Sequence, residues 1–235
     1  MSQAPLTVGA RPGGPQAKRP IVAFEWHGWR RFVRDFVIMQ IAFALQGFAI
    51  GLLVNSGVGR ISPWGYLEYG LEKAVSIDVG LAYVLVTVAA LLVAGILREP
   101  FGWGTLASFV FLTFFWIDVF EANLPILTGG AGFQAMMAVL CGVVLALGSA
   151  LYIGLGAGAG PRESVMLAIA RLFRVNVGVA RLILEGALVG IGLLLGQSAG
   201  LNTILYVISG ATALWLAFRL FNIKPRAVFW ASGAS

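Results

Sequence analysis

Six stretches of this chain, at about 35–55, 78–97, 103–121, 134–156, 176–196 and 201–221, are each about as long as a bilayer is thick and carry few charges. A membrane helix needs about 20 mostly apolar residues. Within hydrocarbon, backbone N–H and C=O groups must be paired inside the segment itself, which leaves the α-helix as the form such stretches adopt. The prediction is therefore an all-α polytopic membrane protein with six transmembrane helices. Composition agrees: 59% of the 235 residues are hydrophobic and 11% are charged, where a soluble domain carries roughly 25% charged residues. Two shorter pieces, 62–73 and 161–173, are too short and too charged to span.

The placement of Lys and Arg predicts orientation. With both termini in the cytoplasm, fourteen basic residues fall on the inner side and two, Arg60 and Lys73, on the outer side. The chain is thus expected to be a multi-pass protein of the bacterial cytoplasmic (inner) membrane, with the lipid bilayer as its first partner. The same placement accounts for the net charge of +6 without invoking nucleic acid. Residues 1–32 read as a disordered and interfacial cytoplasmic tail: the first 20 lack the apolar centre of a signal peptide. Trp26, Trp29, Arg30, Arg31 and Arg34 then suit the membrane surface. Residues 229–235 read as a C-terminal tail. One histidine, His27, and one cysteine, Cys141, supply neither a zinc site nor a Cys-His pair. No cofactor and no enzymatic activity are expected.

Shifting the chain by 98 residues aligns its halves without a gap. Residues 62–105 fall on 160–203 with eight identities, and Pro63 meets Pro161, Val79-Gly80 meets Val177-Gly178, Gly102 meets Gly200 and Thr105 meets Thr203. The halves, 33–130 and 131–228, each hold three spans. An odd number of spans turns the second copy over, which predicts two inverted three-helix repeats, each with an extra short amphipathic or re-entrant helix. Many secondary transporters are built this way.

In each half a span runs into glycines and restarts at a proline: NSGVGRISPWG and GLGAGAGPRES. Proline suits a first helical turn, and Ser62 suits an N-cap. A helix start favours an anion, and Arg162 adds a forked donor. Gly160, Pro161, Arg162, Glu163, Pro63 and Trp64 are therefore the candidate ligand-binding residues, with a small anionic solute as the ligand if the joints dip into the membrane. A second reading lays the short helices in the interface, because Trp64, Leu67 and Leu71 form an apolar stripe with Glu68 and Glu72 elsewhere.

Arg181 and Glu185 stand four residues apart within the fifth span, on one helix face. A carboxylate about 13 Å into a span is costly there and marks a functional candidate, so the pair is assigned to proton or ion coupling, with a structural ion pair as the alternative. The matching residues of the first half are Tyr83 and Thr87. Asp118 and Glu121 read as interfacial. Gly186, Gly190, Gly192 and Gly196 suggest a close-packing face, as do Gly47 and Gly51 in the first span.

The run GAGPRESVMLAIARLFRVNVGVARLILE, followed by GLNT, resembles the YczE/YyaS/YitT group of bacterial membrane proteins. Its Gly-Pro-Arg-(Asp/Glu) joint falls at Gly160 to Glu163, its Arg-x-x-x-Glu at Arg181 to Glu185, and its Gly-x-Gly-Thr turn at Gly200 to Thr203, with Asn202 in place of the second glycine. The resemblance covers about residues 37–221 and implies an integral inner-membrane protein of several helices, without a substrate. Two functions are expected in turn: a secondary transporter or exporter of a small anionic solute, and an accessory or scaffold subunit of a larger membrane complex, whose other subunits would be its partners.

Overall fold

A computed structural model describes residues 28–58 and 61–223. The expectations for residues 1–27, Arg60 and 224–235 lie outside the described residues. Among the described residues every regular element is helical, and six helices are long and apolar enough to cross a membrane. They are α1 (Trp29–Asn55), α3 (Val79–Ile96), the continuous segment Trp103–Asn123, α6 (Ala131–Ile153), α8 (Val177–Leu194) and α9 (Leu201–Leu220). Two 13-residue helices, α2 (Pro63–Val75) and α7 (Pro161–Phe173), lie between spans.

The element starts recur at the 98-residue offset. Pro63 and Pro161 both occupy the first turn of a short helix. Asp78 and Asn176 cap α3 and α8 through their side chains. Gly102 and Gly200 precede the next helices in nearly the same extended conformation, with φ of −121° and −130°. Packing obeys the same correspondence: α2 lies against α8 and α3 against α7, so each half places its short helix on the other half's span. Helices α1 and α6 meet between them.

One end of the bundle gathers the start of α1, the segment after α6 and the end of α9. There the Phe32 and Trp103 rings meet at a tilt, 5.0 Å between centres, and the Gly104 N–H donates to the Ala157 carbonyl at 2.8 Å. The opposite end joins α1 to the segment after Phe120, where the Asn55 side chain donates to the carbonyls of Glu121 and Leu124 at 2.9 and 2.8 Å.

The third span is not the regular helix its hydropathy predicts. It runs as α4 (Trp103–Ala107), a nine-residue π segment (Ser108–Trp116) and α5 (Ile117–Asn123). π turns are rare and recur at functional sites. Close packing on α1 accompanies this one. A Cβ at Gly47 would lie 2.7 Å from the Trp116 carbonyl carbon, and one at Gly51 would lie 3.0 Å from that of Phe120. Trp116 Nε1 donates to Gln40 Oε1 at 2.8 Å. The expected packing role of Gly47 and Gly51 holds. That of the α8 glycines holds only at Gly192, which abuts Tyr66; Gly186 and Gly190 face open space, and Gly196 takes a left-handed conformation (φ +79°) in the turn after α8. The residues that α8 buries, Arg181, Leu184, Glu185, Leu188 and Gly192, keep helical spacing, and Gly186 and Gly190 fall off that face.

Candidate functional site

The two glycine-proline joints bring α2 and α7 into the bundle. Ser62 Oγ accepts from the Gly65 N–H at 3.0 Å and caps α2. The second joint turns through Gly156 (φ +74°) and Gly158 (φ +117°), backbone that glycine alone takes without strain. It is then pinned where the Gly160 N–H donates to the Tyr152 hydroxyl at 2.9 Å. Helix α7 buries Ser164, Val165, Met166, Leu167, Ala168 and Ala170, a pattern of enclosure rather than of lying on a surface.

Helix α2 departs from its expected amphipathic pattern. Its buried set is Pro63, Gly65, Tyr66, Glu68 and Gly70, so the carboxylate of Glu68 goes in, while Trp64, Leu67 and Leu71 of the apolar stripe are half-buried. The reason stands across the bundle: Arg162 Nη2 donates to Glu68 Oε1 at 2.5 Å. The guanidinium also lies 4.8 Å from the centre of the Trp64 ring and 4.3 Å from that of Tyr83, where ring faces favour a cation. Glu163, in the first turn of α7, accepts from Ser149 Oγ at 2.9 Å and gains from the helix dipole. The anion that Arg162 and the helix start call for is thus supplied from within, by Glu68 and Glu163.

On α8, Arg181 Nε donates to Glu185 Oε1 at 2.7 Å, both side chains buried. An ion pair inside an apolar bundle offsets its desolvation only when the remaining polar atoms are paired as well. Here they are not. Glu185 Oε2, Arg162 Nε, Thr87 Oγ1 and Gln46 Nε2 are buried and make no hydrogen bond within the protein.

These groups share one cavity of about 380 Å³, within the roughly 300–1,000 Å³ common for small-molecule sites. It collects Trp64 and Glu68 from α2, Tyr83 and Thr87 from α3, Ser108 and Thr113 from the π segment, Pro161, Arg162 and Glu163 from α7, and Arg181 and Glu185 from α8. Thr87 and Glu185, like Tyr83 and Arg181, stand at matching positions of the two halves, so the cavity lies where the halves meet. It extends to exposed Asp118 and Glu121 and to the start of α3 at Val79 and Gly80. At the other end the chain is closed by the Gly104–Ala157 bond. There Arg171, near the end of α7, donates to the carbonyls of Leu97 and Arg98 at 2.5 and 3.2 Å and pairs with Glu99 at 2.8 Å.

Of the residues singled out in the sequence, Pro161, Arg162, Glu163, Trp64, Arg181 and Glu185 line the cavity. Pro63 and Gly160 are buried beside it and set the helix starts. Glu68, Gln46, Ser149 and Tyr206 also line it without having been singled out. Gln46 and Ser149 look like ordinary breaks in apolar spans, and Tyr206 like an ordinary aromatic. Only Glu68 carried a signal, as a carboxylate in a segment too short to span. Among the described residues no group of three or more His, Cys, Asp or Glu is arranged to hold a metal ion.

A family of unknown function, DUF6198, matches residues 33–214, which take in every cavity residue named above. The chain belongs to this family of YczE-like membrane proteins. An uncharacterized protein of Haemophilus influenzae is 32% identical over 77% of this chain and 82% of its own length. The uncharacterized membrane protein YczE of Bacillus subtilis is 31% identical over 75% of this chain and 80% of its own. No solved structure matches. The matched region starts within α1 and ends within α9, so it reaches all six spans and includes both joints.

Proposed function

We propose that this DUF6198 protein is a secondary transporter of a small polar solute, with its site in the cavity between α2, α3, the π segment, α7 and α8. One observation carries this reading: two arginines and three glutamates, drawn from both halves, line a 380 Å³ space inside an apolar bundle, with Arg162 Nε and Glu185 Oε2 left without a hydrogen bond. A cavity of that polarity is costly inside a bilayer, and a purely structural bundle gains nothing from it. Interrupted segments at matching places in two halves, converging on one site, are the pattern of carriers with inverted repeats, and the three-span halves imply that inversion. With both termini cytoplasmic, as the Lys and Arg distribution supports, the cavity reaches toward the outside and the Arg171 contacts close the inside.

Reconstitution tests the proposal. Liposomes holding the protein and a lumenal pH dye are challenged with panels of cationic, zwitterionic and anionic solutes. The wild type is expected to give solute-dependent flux or proton movement, and Thr87→Phe, which fills the cavity, is expected to abolish it while the protein stays monodisperse. Absence of flux with every panel, together with co-purification of other membrane proteins at fixed stoichiometry in mild detergent, would replace the transporter with the accessory-subunit reading.

A further inference from the structure

The buried part of the cavity holds two guanidiniums, Arg162 and Arg181, and three carboxylates, Glu68, Glu163 and Glu185. Each guanidinium is committed to one carboxylate. Arginine stays charged inside proteins, so full ionisation gives two positive and three negative charges, a net −1, with Glu163 held by Ser149 Oγ and the start of α7 rather than by a guanidinium of its own. A net charge in a medium of low dielectric is costly, and neutralising it lowers that cost. Two occupants neutralise it: a proton on the carboxylate, or a monovalent cation beside it. They exclude one another, because either one alone brings the site to neutrality.

We propose that the cavity takes a small organic cation bearing an ammonium group, held between Glu163 and Glu185 and admitted in exchange for one proton. This deepens the transporter reading and rests on it for movement across the membrane, though not for binding. Glu185 Oε2 is the unpaired acceptor, on a residue only 2% exposed. Thr87 Oγ1, also unpaired and buried, is a second oxygen in the same space. The other charged and titratable groups of the buried lining are Arg181 on the same helix as Glu185, Glu68 from α2, Tyr83 from α3, Arg162 and Glu163 from α7, and Tyr206 from α9. Arg162 and Arg181, the only guanidiniums among them, are already paired. An anion finds donors at Arg162 Nε and Gln46 Nε2, but both guanidiniums already hold a carboxylate, the buried groups sum to a negative charge, and at the mouth it meets Asp118 and Glu121, whose field favours cations. A bare metal ion would need a tighter set of ligands than the described residues hold. The space is instead large enough for an organic body, and Ile50, Leu112 and Leu184 give it apolar walls beside the ring of Tyr69, a kind of surface that suits ammonium.

The step balances simply. The protonated carboxylic acid loses its O–H proton to water at the open mouth, the ammonium takes its place beside the carboxylate, and release of the ammonium returns a proton to the oxygen. No electron moves and no covalent bond other than O–H is broken or made.

Binding of phenethylammonium and choline, with benzoate and inorganic phosphate as opposing probes, is measured by calorimetry on detergent-purified protein near neutral pH, in two buffers of different ionisation heat. The ammonium probes are expected to bind with release of about one proton each, and Glu185→Gln to abolish that release. Because that variant leaves Arg181 without its charged partner, Glu163→Gln and the paired change Arg181→Gln with Glu185→Gln are measured beside it, and at least one folded variant is expected to lose proton release. Binding of the anions instead, ammonium binding without proton release, or no binding by any probe in lipid nanodiscs overturns the proposal. Proton-releasing ammonium binding without flux in liposomes leaves the site standing and removes the transporter. Flux of an anion keeps the transporter and removes the cation site.

Discussion

At the scale of single residues, the contact between Arg162 and Glu68 is the one that the most other features depend on. It joins the two short helices, draws a carboxylate into the interior, and occupies the guanidinium that otherwise invites a solute anion. Removing one member of a buried ion pair costs about 3–5 kcal/mol, because the other is left buried and unpaired, whereas removing both costs far less. Arg162→Gln is therefore expected to lower the thermal unfolding temperature in detergent sharply. The double change Arg162→Gln with Glu68→Gln is expected to recover most of that loss, and a thermal-shift cycle of the two single and one double variant measures it. The residues that announce themselves in the sequence are those whose charge is out of place in an apolar run, such as Arg181 and Glu185. Those that stay hidden, Gln46, Ser149 and Tyr206, are common in spans, and only the neighbour that packs against them reveals that they face a cavity. Glu68 was legible as a charge but not as a buried one, since its orientation depends on a partner 94 residues away.

Elements show the same division between local and distant causes. The starts of α2, α3, α7 and α8 are written in caps and prolines and fall where sequence places them. The π segment is not, because it answers to the close approach of α1 at Gly47 and Gly51. Glycine offers a direct check. Gly47→Ala places a methyl group against the Trp116 backbone and is expected to destabilise by about 1–3 kcal/mol through overpacking. Gly186→Ala meets open space within a helix and is expected to stabilise by up to about 1 kcal/mol from helix propensity. Thermal unfolding of the two variants side by side should move in opposite directions; equal shifts would mean that the α1 contact is not made. The π segment also rotates α5 about the axis of the span. A π turn holds one residue more than the regular ladder, and one residue is about 100° of helix, so Asp118 and Glu121 face a different side than an unbroken helix would give them. Deleting one residue within 108–116 is expected to carry those carboxylates away from the mouth, and it should weaken phenethylammonium binding in calorimetry even where the protein stays folded.

For the whole molecule, the number and order of spans were legible in hydropathy alone, and the correspondence of the halves in a handful of prolines, glycines and caps. The cavity was not, because it exists only where helices from both ends of the chain converge. Orientation is open to direct test. In a Cys141→Ser background, Ile126→Cys, exposed between α5 and α6, is expected to react with a membrane-impermeant maleimide added to whole cells. Phe173→Cys, exposed at the end of α7, is expected to react only after permeabilisation; the reverse pattern inverts the assignment of sides. The excess of a single carboxylate in the cavity has an energetic corollary. In the proposed exchange, trading one proton for one monovalent cation shifts no net charge across the bilayer, so the membrane voltage, worth about 2.3 kcal/mol per charge at 100 mV, would neither drive nor oppose the cycle. The pH gradient alone supplies the work, about 1.4 kcal/mol for each unit. A potassium-diffusion potential imposed with valinomycin should therefore leave the rate unchanged, and the protein would work as well in a depolarised cell as in an energised one.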